Sequence, residues 1–163
     1  MKRAIPVLLV IGVLVALDQI VKLWSVAALD FQKVWTLLPV LSLYLTHNTG
    51  VAFSMFGGAG PWPLVALTLV VCAVIGVLWW RTARGRWLSH AGFGLIIAGA
   101  LGNLIDRVRL GYVIDYILVH TPGFSWSFAV FNLADAFITI GAIAIIADEF
   151  VGPKLGSHPK DAS

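Results

Sequence analysis

Hydrophobic positions in this chain run in long unbroken stretches, not in the short alternations of a water-soluble fold. A helix that crosses ~30 Å of hydrocarbon needs about 20 mostly apolar residues. Four stretches approach that length: 4–28, 61–80, 88–105 and 133–147, the last extending to about 150 at its far end. The segments between them carry strand patterns. Leu41, Leu43 and Leu45 alternate with Ser42, Tyr44 and Thr46, the period of a half-buried strand. Phe124, Trp126, Phe128 and Val130 alternate in the same way with Ser125, Ser127 and Ala129, and 111–119 is rich in Tyr, Val and Ile. Residues 57–63 (GGAGPWP) read as the turn into the second helix. The expectation is an all-α membrane protein of one domain, 1–163, with four transmembrane helices and a small β-element on the outer ends of the helices.

Composition strengthens this reading. Hydrophobic residues make up 60% of the chain and charged residues 12%, against roughly a quarter charged in soluble domains. So little polar surface cannot coat a globule of this size in water. The net charge of +3 does not point to nucleic acid, because the basic residues form no patch interleaved with aromatics. They lie between the apolar runs. Lys2, Arg3, Arg81, Arg84, Arg86, Lys154 and Lys160 fall on one side, with Lys22, Lys33, Arg107 and Arg109 toward the other. The excess of Lys and Arg on cytoplasmic loops then puts both termini inside and the loops 29–60 and 106–132 outside. Lys2-Arg3 followed by an apolar run also fits a cleavable signal peptide, but Asp18, Gln19 and Lys22 are unusual in a segment to be discarded.

Only eight residues are acidic. Four of them, Asp18, Asp106, Asp115 and Asp135, lie in or beside membrane segments near the outer face. Carboxylates at membrane depth are costly and point to function by default. Asp18 and Lys22, four apart, share a helix face in the favourable order and read as a structural pair or as parts that position a substrate. Asn103, Asp106 and Arg107 share the outer end of the third helix, where an Asp–Arg pair would anchor the helix end. Asn132-Leu133-Ala134-Asp135 reads equally as a capping box, with an acid at N3 where the helix dipole favours negative charge. Asp115 interrupts the apolar run 112–119 with no basic residue in the four that follow. Isolated carboxylates of that kind hold their proton to higher pH. If Asp115 meets Asp135 in space, the two can share one proton. One carboxylate would then take a proton from water while the other protonates the scissile carbonyl of a peptide.

Other chemistries lack their residues. His47, His90, His120 and His158 are scattered with no partner at metal-ligand spacing, and the single Cys72 sits in an apolar run. No Gly-x-Ser-x-Gly, P-loop or dinucleotide fingerprint occurs, so no metal or cofactor is expected. A proton-coupled transporter or relay is the main rival, but relay carboxylates should be spread through the membrane depth, whereas these gather near one face.

Five motifs in order resemble bacterial lipoprotein signal peptidase, the type II signal peptidase. They are Asp18-Gln19-x-x-Lys22, Asn48-Thr49-Gly50-Val51-Ala52-Phe53, Gly102-Asn103-Leu104-Ile105-Asp106-Arg107, Gly111-x-x-x-Asp115 and Phe131-Asn132-Leu133-Ala134-Asp135. The resemblance implies an aspartyl endopeptidase of the bacterial inner membrane, working on its periplasmic side without metal or cofactor. It would remove signal peptides from diacylglyceryl-modified prolipoproteins, cutting just before the lipidated cysteine. By this resemblance the catalytic pair is Asp115 and Asp135. Asn48, Asn103, Arg107 and Asn132 would line the substrate site, while Asp18, Lys22 and Asp106 would hold it together. The strand-like stretches would form a β-cradle, with the region 48–56 near a loop that covers the site.

Overall fold

The structure, a computed structural model, describes residues 4–50 and 60–155. Four long helices dominate: α1 (Ala4–Ala28), α2 (Trp62–Arg81), α3 (Trp87–Leu110) and α4 (Leu133–Leu155). Three strands, β1 (Val34–Leu38), β2 (Leu41–Asn48) and β3 (Val113–Val119), form an antiparallel sheet in the order β1-β2-β3. Among the described residues, three helices are long and apolar enough to cross a membrane: α1 from Pro6, α2 and α3. In its 23 residues α4 carries Asp135, Asp148 and Glu149. Its Ile140, Ile143 and Ile146 are nevertheless exposed, as are Leu8, Leu9 and Val13 of α1 and Val70 of α2. Water does not tolerate apolar surface on this scale.

The centre of the bundle is α3, against which α1, α2 and α4 all pack. Glycine makes its seam with α4 possible. A Cβ on Gly92 would stand 2.6 Å from the Gly141 carbonyl oxygen, and one on Gly141 would stand 2.6 Å from that of Gly92. A Cβ on Gly99 would strike the backbone oxygen of Ala134. Small residues let helix backbones approach this closely where no hydrophobic effect drives them together. At the far end from the sheet, Arg86 Nε donates to Asp148 Oδ2 at 2.7 Å, Arg86 Nη1 pairs with Glu149 at 2.9 Å, and Ser89 Oγ donates to Asp148 Oδ2 at 2.5 Å. Those contacts clamp α4 to the start of α3, so Asp148 is buried against protein, not lipid.

Several elements differ from the sequence expectation. The third helix runs five residues beyond 105, because charge at Asp106, Arg107 and Arg109 ends the hydropathy but not the helix. It stops where Gly111 takes a left-handed conformation (φ 83°) and donates its N–H to the Arg107 carbonyl at 3.1 Å. The expected strand at 124–130 is absent. Gly123 and Phe124 have positive φ (77° and 57°), and the segment forms a turn on Thr121 with only isolated bridges, His120 to Ser127 and Ile117 to Phe131. Strand β1 was not expected, since Val34–Leu38 shows no alternation and is exposed along its whole length at the sheet edge. The turn expected at 57–63 ends in Gly60 (φ 59°) and Pro61 ahead of α2, while the expected covering loop falls mostly within 51–59, outside the described residues. Helix α1 packs on α3, and its Asp18 and Lys22 are buried there.

Candidate active site

The polar residues converge at the sheet end of the bundle. Strand β3 reverses the chain directly after α3, its Asp115 standing opposite Thr46 of β2. Lys22, on α1, lies at the foundation, 1% exposed. It is bound by Asp18 Oδ2 at 2.9 Å, Asp106 Oδ2 at 2.8 Å and Asn103 Oδ1 at 2.9 Å, which engages all three ammonium hydrogens. Asp106 therefore pairs with α1, not with neighbouring Arg107 as spacing along the helix had suggested. Gln19 Nε2 adds a bond to Asp106 Oδ1 at 2.9 Å and another to the Gly102 carbonyl at 3.2 Å.

Donor-only partners orient every amide above this base. Asn103 turns its oxygen to Lys22, so its nitrogen faces Asp135 and donates to Oδ1 at 2.7 Å. Asn132 turns its oxygen to the backbone N–H of Asp135 at 3.0 Å, so its nitrogen faces Asp115 and donates to Oδ1 at 2.6 Å. Asn48 turns its oxygen to the Gly50 N–H at 2.9 Å, and its nitrogen donates to Asp115 Oδ2 at 2.9 Å. An N–H can only donate, so none of these amides is free to flip. The nitrogen of Asn132 also lies 3.2 Å from Asn103 Oδ1, joining the two carboxylates through a single row of side chains.

The start of α4 is fastened by residues from three places. Leu133 N–H donates to Tyr116 Oη at 3.2 Å, Ala134 N–H to Asp18 Oδ1 at 3.0 Å, and Asn132 N–H to Asp135 Oδ2 at 3.2 Å. With the reciprocal Asp135–Asn132 bond, the last contact is the capping box anticipated from the sequence. Asp135 thus serves as cap and as member of the polar row at once. Tyr116 was not anticipated as part of this arrangement. Its place in the apolar cluster with Leu45 and Ile114 hides it, since a tyrosine there reads as core.

Burial is graded across the row. Asp115 is 1% exposed, Asp135 is half-buried and Asn48 is exposed, so the site opens between the hairpin and the start of α4. Burial, with the nearby negative charge of Asp135, pushes the Asp115 carboxyl up to about 6 against the pull of its two amide donors and Lys22. Arg107 lies on the last turn of α3, and its buried Nε has no hydrogen-bond partner among the described residues. The structure thus brings together Asp18, Lys22, Asn48, Asn103, Asp106, Asp115, Asn132 and Asp135 in one network. Arg107 alone makes no hydrogen bond within it.

A family profile described as signal peptidase (SPase) II matches residues 10–151. A lipoprotein signal peptidase of Sinorhizobium fredii (strain NBRC 101917 / NGR234) is 52% identical over 152 residues, covering 93% of this chain and 90% of that protein. Another, of Mesorhizobium japonicum (strain LMG 29417 / CECT 9101 / MAFF 303099), is 50% identical over 147 residues, covering 90% and 86%. Two solved structures described as bacterial membrane enzymes share the fold. One has a TM-score of 0.77 at 28% identity, covering 88% of this chain and 92% of that one; the other has 0.78 at 26%, covering 96% and 94%.

Proposed function

The chain belongs to the signal peptidase II family, the lipoprotein signal peptidases, aspartic enzymes that cleave signal peptides from prolipoproteins, and we propose that it does so through Asp115 and Asp135 acting as a dyad. The observation that carries this reading is the row Asn48–Asp115–Asn132–Asn103–Asp135, in which fixed amides hold two carboxyl groups with lone pairs left over for a water. Burial raises the Asp115 carboxyl to about 6, and bound substrate, by expelling water, raises it further, so in the substrate complex the pair holds one proton, on Asp115. Asp135, at the positive end of α4, takes a proton from the water as its oxygen attacks the scissile carbonyl. Asp115 gives its proton to the carbonyl oxygen, and collapse of the tetrahedral intermediate returns a proton to the departing amine. Asn48, Asn132 and Asn103 keep both carboxyl groups aimed through these exchanges. Arg107 offers its guanidinium to a substrate carbonyl at the mouth. Asp18, Lys22 and Asp106 hold the base rigid.

The reading extends to topology. From Trp87 to Leu110, α3 is about 35 Å long, so the basic turn at Arg81, Arg84 and Arg86 and the dyad lie a bilayer apart. With α4 as fourth span, the chain is one peptidase domain of the bacterial inner membrane, with both termini cytoplasmic and the dyad periplasmic. The substrate is then a prolipoprotein whose cysteine already carries diacylglycerol. Its acyl chains reach the interface where Trp62 and Trp126 are exposed, each buried methylene adding about 0.8 kcal/mol of affinity.

The test is cleavage of a diacylglyceryl-modified prolipoprotein peptide by the purified protein in lipid-supplemented detergent. Asp115→Asn, Asp135→Asn and an unlipidated peptide run beside it. Loss in both variants with the fold retained, and little turnover of the unlipidated peptide, is expected. Full activity in either variant overturns the dyad.

A further inference from the structure

At the end of the bundle opposite the dyad, α1 and α2 pack on either side of α3 and leave a groove of about 980 Å³ between them. Apolar side chains from α1, among them Val7, Val10 and Leu14, form one wall, with Leu95 of α3 on the floor. The polar groups that reach the groove are nearly all engaged. Trp79 Nε1 donates to His90 Nδ1 at 2.6 Å, so that nitrogen carries no hydrogen, and Nε2 donates to the Ala83 carbonyl at 3.1 Å. The exception is Arg84, exposed at the mouth beside the α2–α3 turn and without a carboxylate among the described residues. Its neighbour Arg86 is already held by Asp148 and Glu149.

We infer that this groove is a binding site for an anionic phospholipid, with an acyl chain along α1 and the phosphate at Arg84. Three observations favour this occupant over the signal sequence of a substrate. Length is the first. Between Pro6 and Leu14 the groove follows nine residues of α1, a rise of about 12 Å, which is close to the depth of one leaflet and far short of a ~30 Å span. Charge is the second, because a signal sequence brings its own basic residues to this end of the membrane and would set them against Arg84. Polarity is the third: an apolar trough with, among the described residues that line it, one unengaged cation at the level of the headgroups matches an amphiphile with a single anionic head.

The experiment is native mass spectrometry of the protein released from nanodiscs of phosphatidylcholine containing a minority of phosphatidylglycerol. Retention of phosphatidylglycerol above its share in the disc by about fivefold is the expected result, the selectivity that one basic residue sets at an anionic surface. Arg84→Lys keeps the preference and Arg84→Glu abolishes it. Gly94→Leu, whose side chain grows into the groove beside Trp79, loses retention of either lipid. Retention in proportion to the disc, or a preference unchanged in Arg84→Glu, overturns the proposal. So does cross-linking of a bound signal peptide to a photoreactive group at Leu95, which would assign the groove to substrate.

Discussion

Replacing Asp115 by Asn should abolish cleavage and at the same time make the folded protein more stable, in a way that depends on pH. Folding carries this carboxyl from its ordinary 3.8 to about 6. The native state therefore holds the proton more tightly than the unfolded chain, and between those two values stability falls as pH rises. A difference of about 2 pH units corresponds to about 3 kcal/mol, all of it lost by pH 7.5 and almost none lost below pH 4. Asn removes the titration. It also removes one acceptor, since the carboxylate receives both Asn48 and Asn132 and the amide can receive only one, at a cost of about 1–2 kcal/mol. The net gain at pH 7.5 is about 1–2 kcal/mol, or about 2–8 °C in Tm for a chain of this size. Thermal melts of both proteins in one detergent, from pH 4 to pH 8 in small steps, measure it. The gain should shrink through the interval from about 6 to 4 and vanish or reverse below it. A variant less stable than wild type at pH 7.5, or a gain indifferent to pH, would refute the account of a proton held by burial.

Lys22→Met should cost about 3–5 kcal/mol, because it strands Asp18 and Asp106 as buried carboxylates with no cation; a melt within a degree of wild type contradicts that. Gly99→Leu drives a side chain into the Ala134 backbone at the start of α4, and should lower stability by more than about 1–3 kcal/mol while cutting kcat through displaced Asp135. Unchanged kcat in protein that still folds would separate the seam from the site. In pH–rate profiles the alkaline limb of kcat should lie above that of kcat/KM. Bound substrate expels water from around Asp115 and raises its carboxyl further, and the paired carboxyls titrate as a unit. Coincident limbs would mean that the substrate leaves the pair solvated.

The membrane helices were legible because apolar runs of about 20 residues have few other uses, and α1 matches its expected bounds, 4–28. The acidic residues stood out by rarity, and Asp115 by its isolation in an apolar strand. Pairings between elements were not legible. Spacing reports only neighbours on one helix, so Asp106 was matched with Arg107 while its partner, Lys22, lay on another helix. Alternation at 124–130 misled for a different reason: the period of 2 describes side chains, whereas a strand also needs a ladder partner, and positive φ at Gly123 and Phe124 turns the backbone away from one. β1 erred the opposite way. Exposed on both faces, it has no inside and outside to alternate between.

The fixed amides also bear on how such an enzyme is made safely. Asn103 is aimed by Lys22 of the first helix, Asn48 by the backbone of Gly50 just beyond β2, and Asn132 by the backbone of Asp135 in the last helix. During synthesis the final helix reaches the membrane last. Until it arrives Asp115 has lost Asn132, and Asn103 points at nothing. With Asp115 and Asp135 as the proposed dyad, a chain still emerging from the ribosome carries no working cutter, and completion of the bundle is itself the activation step.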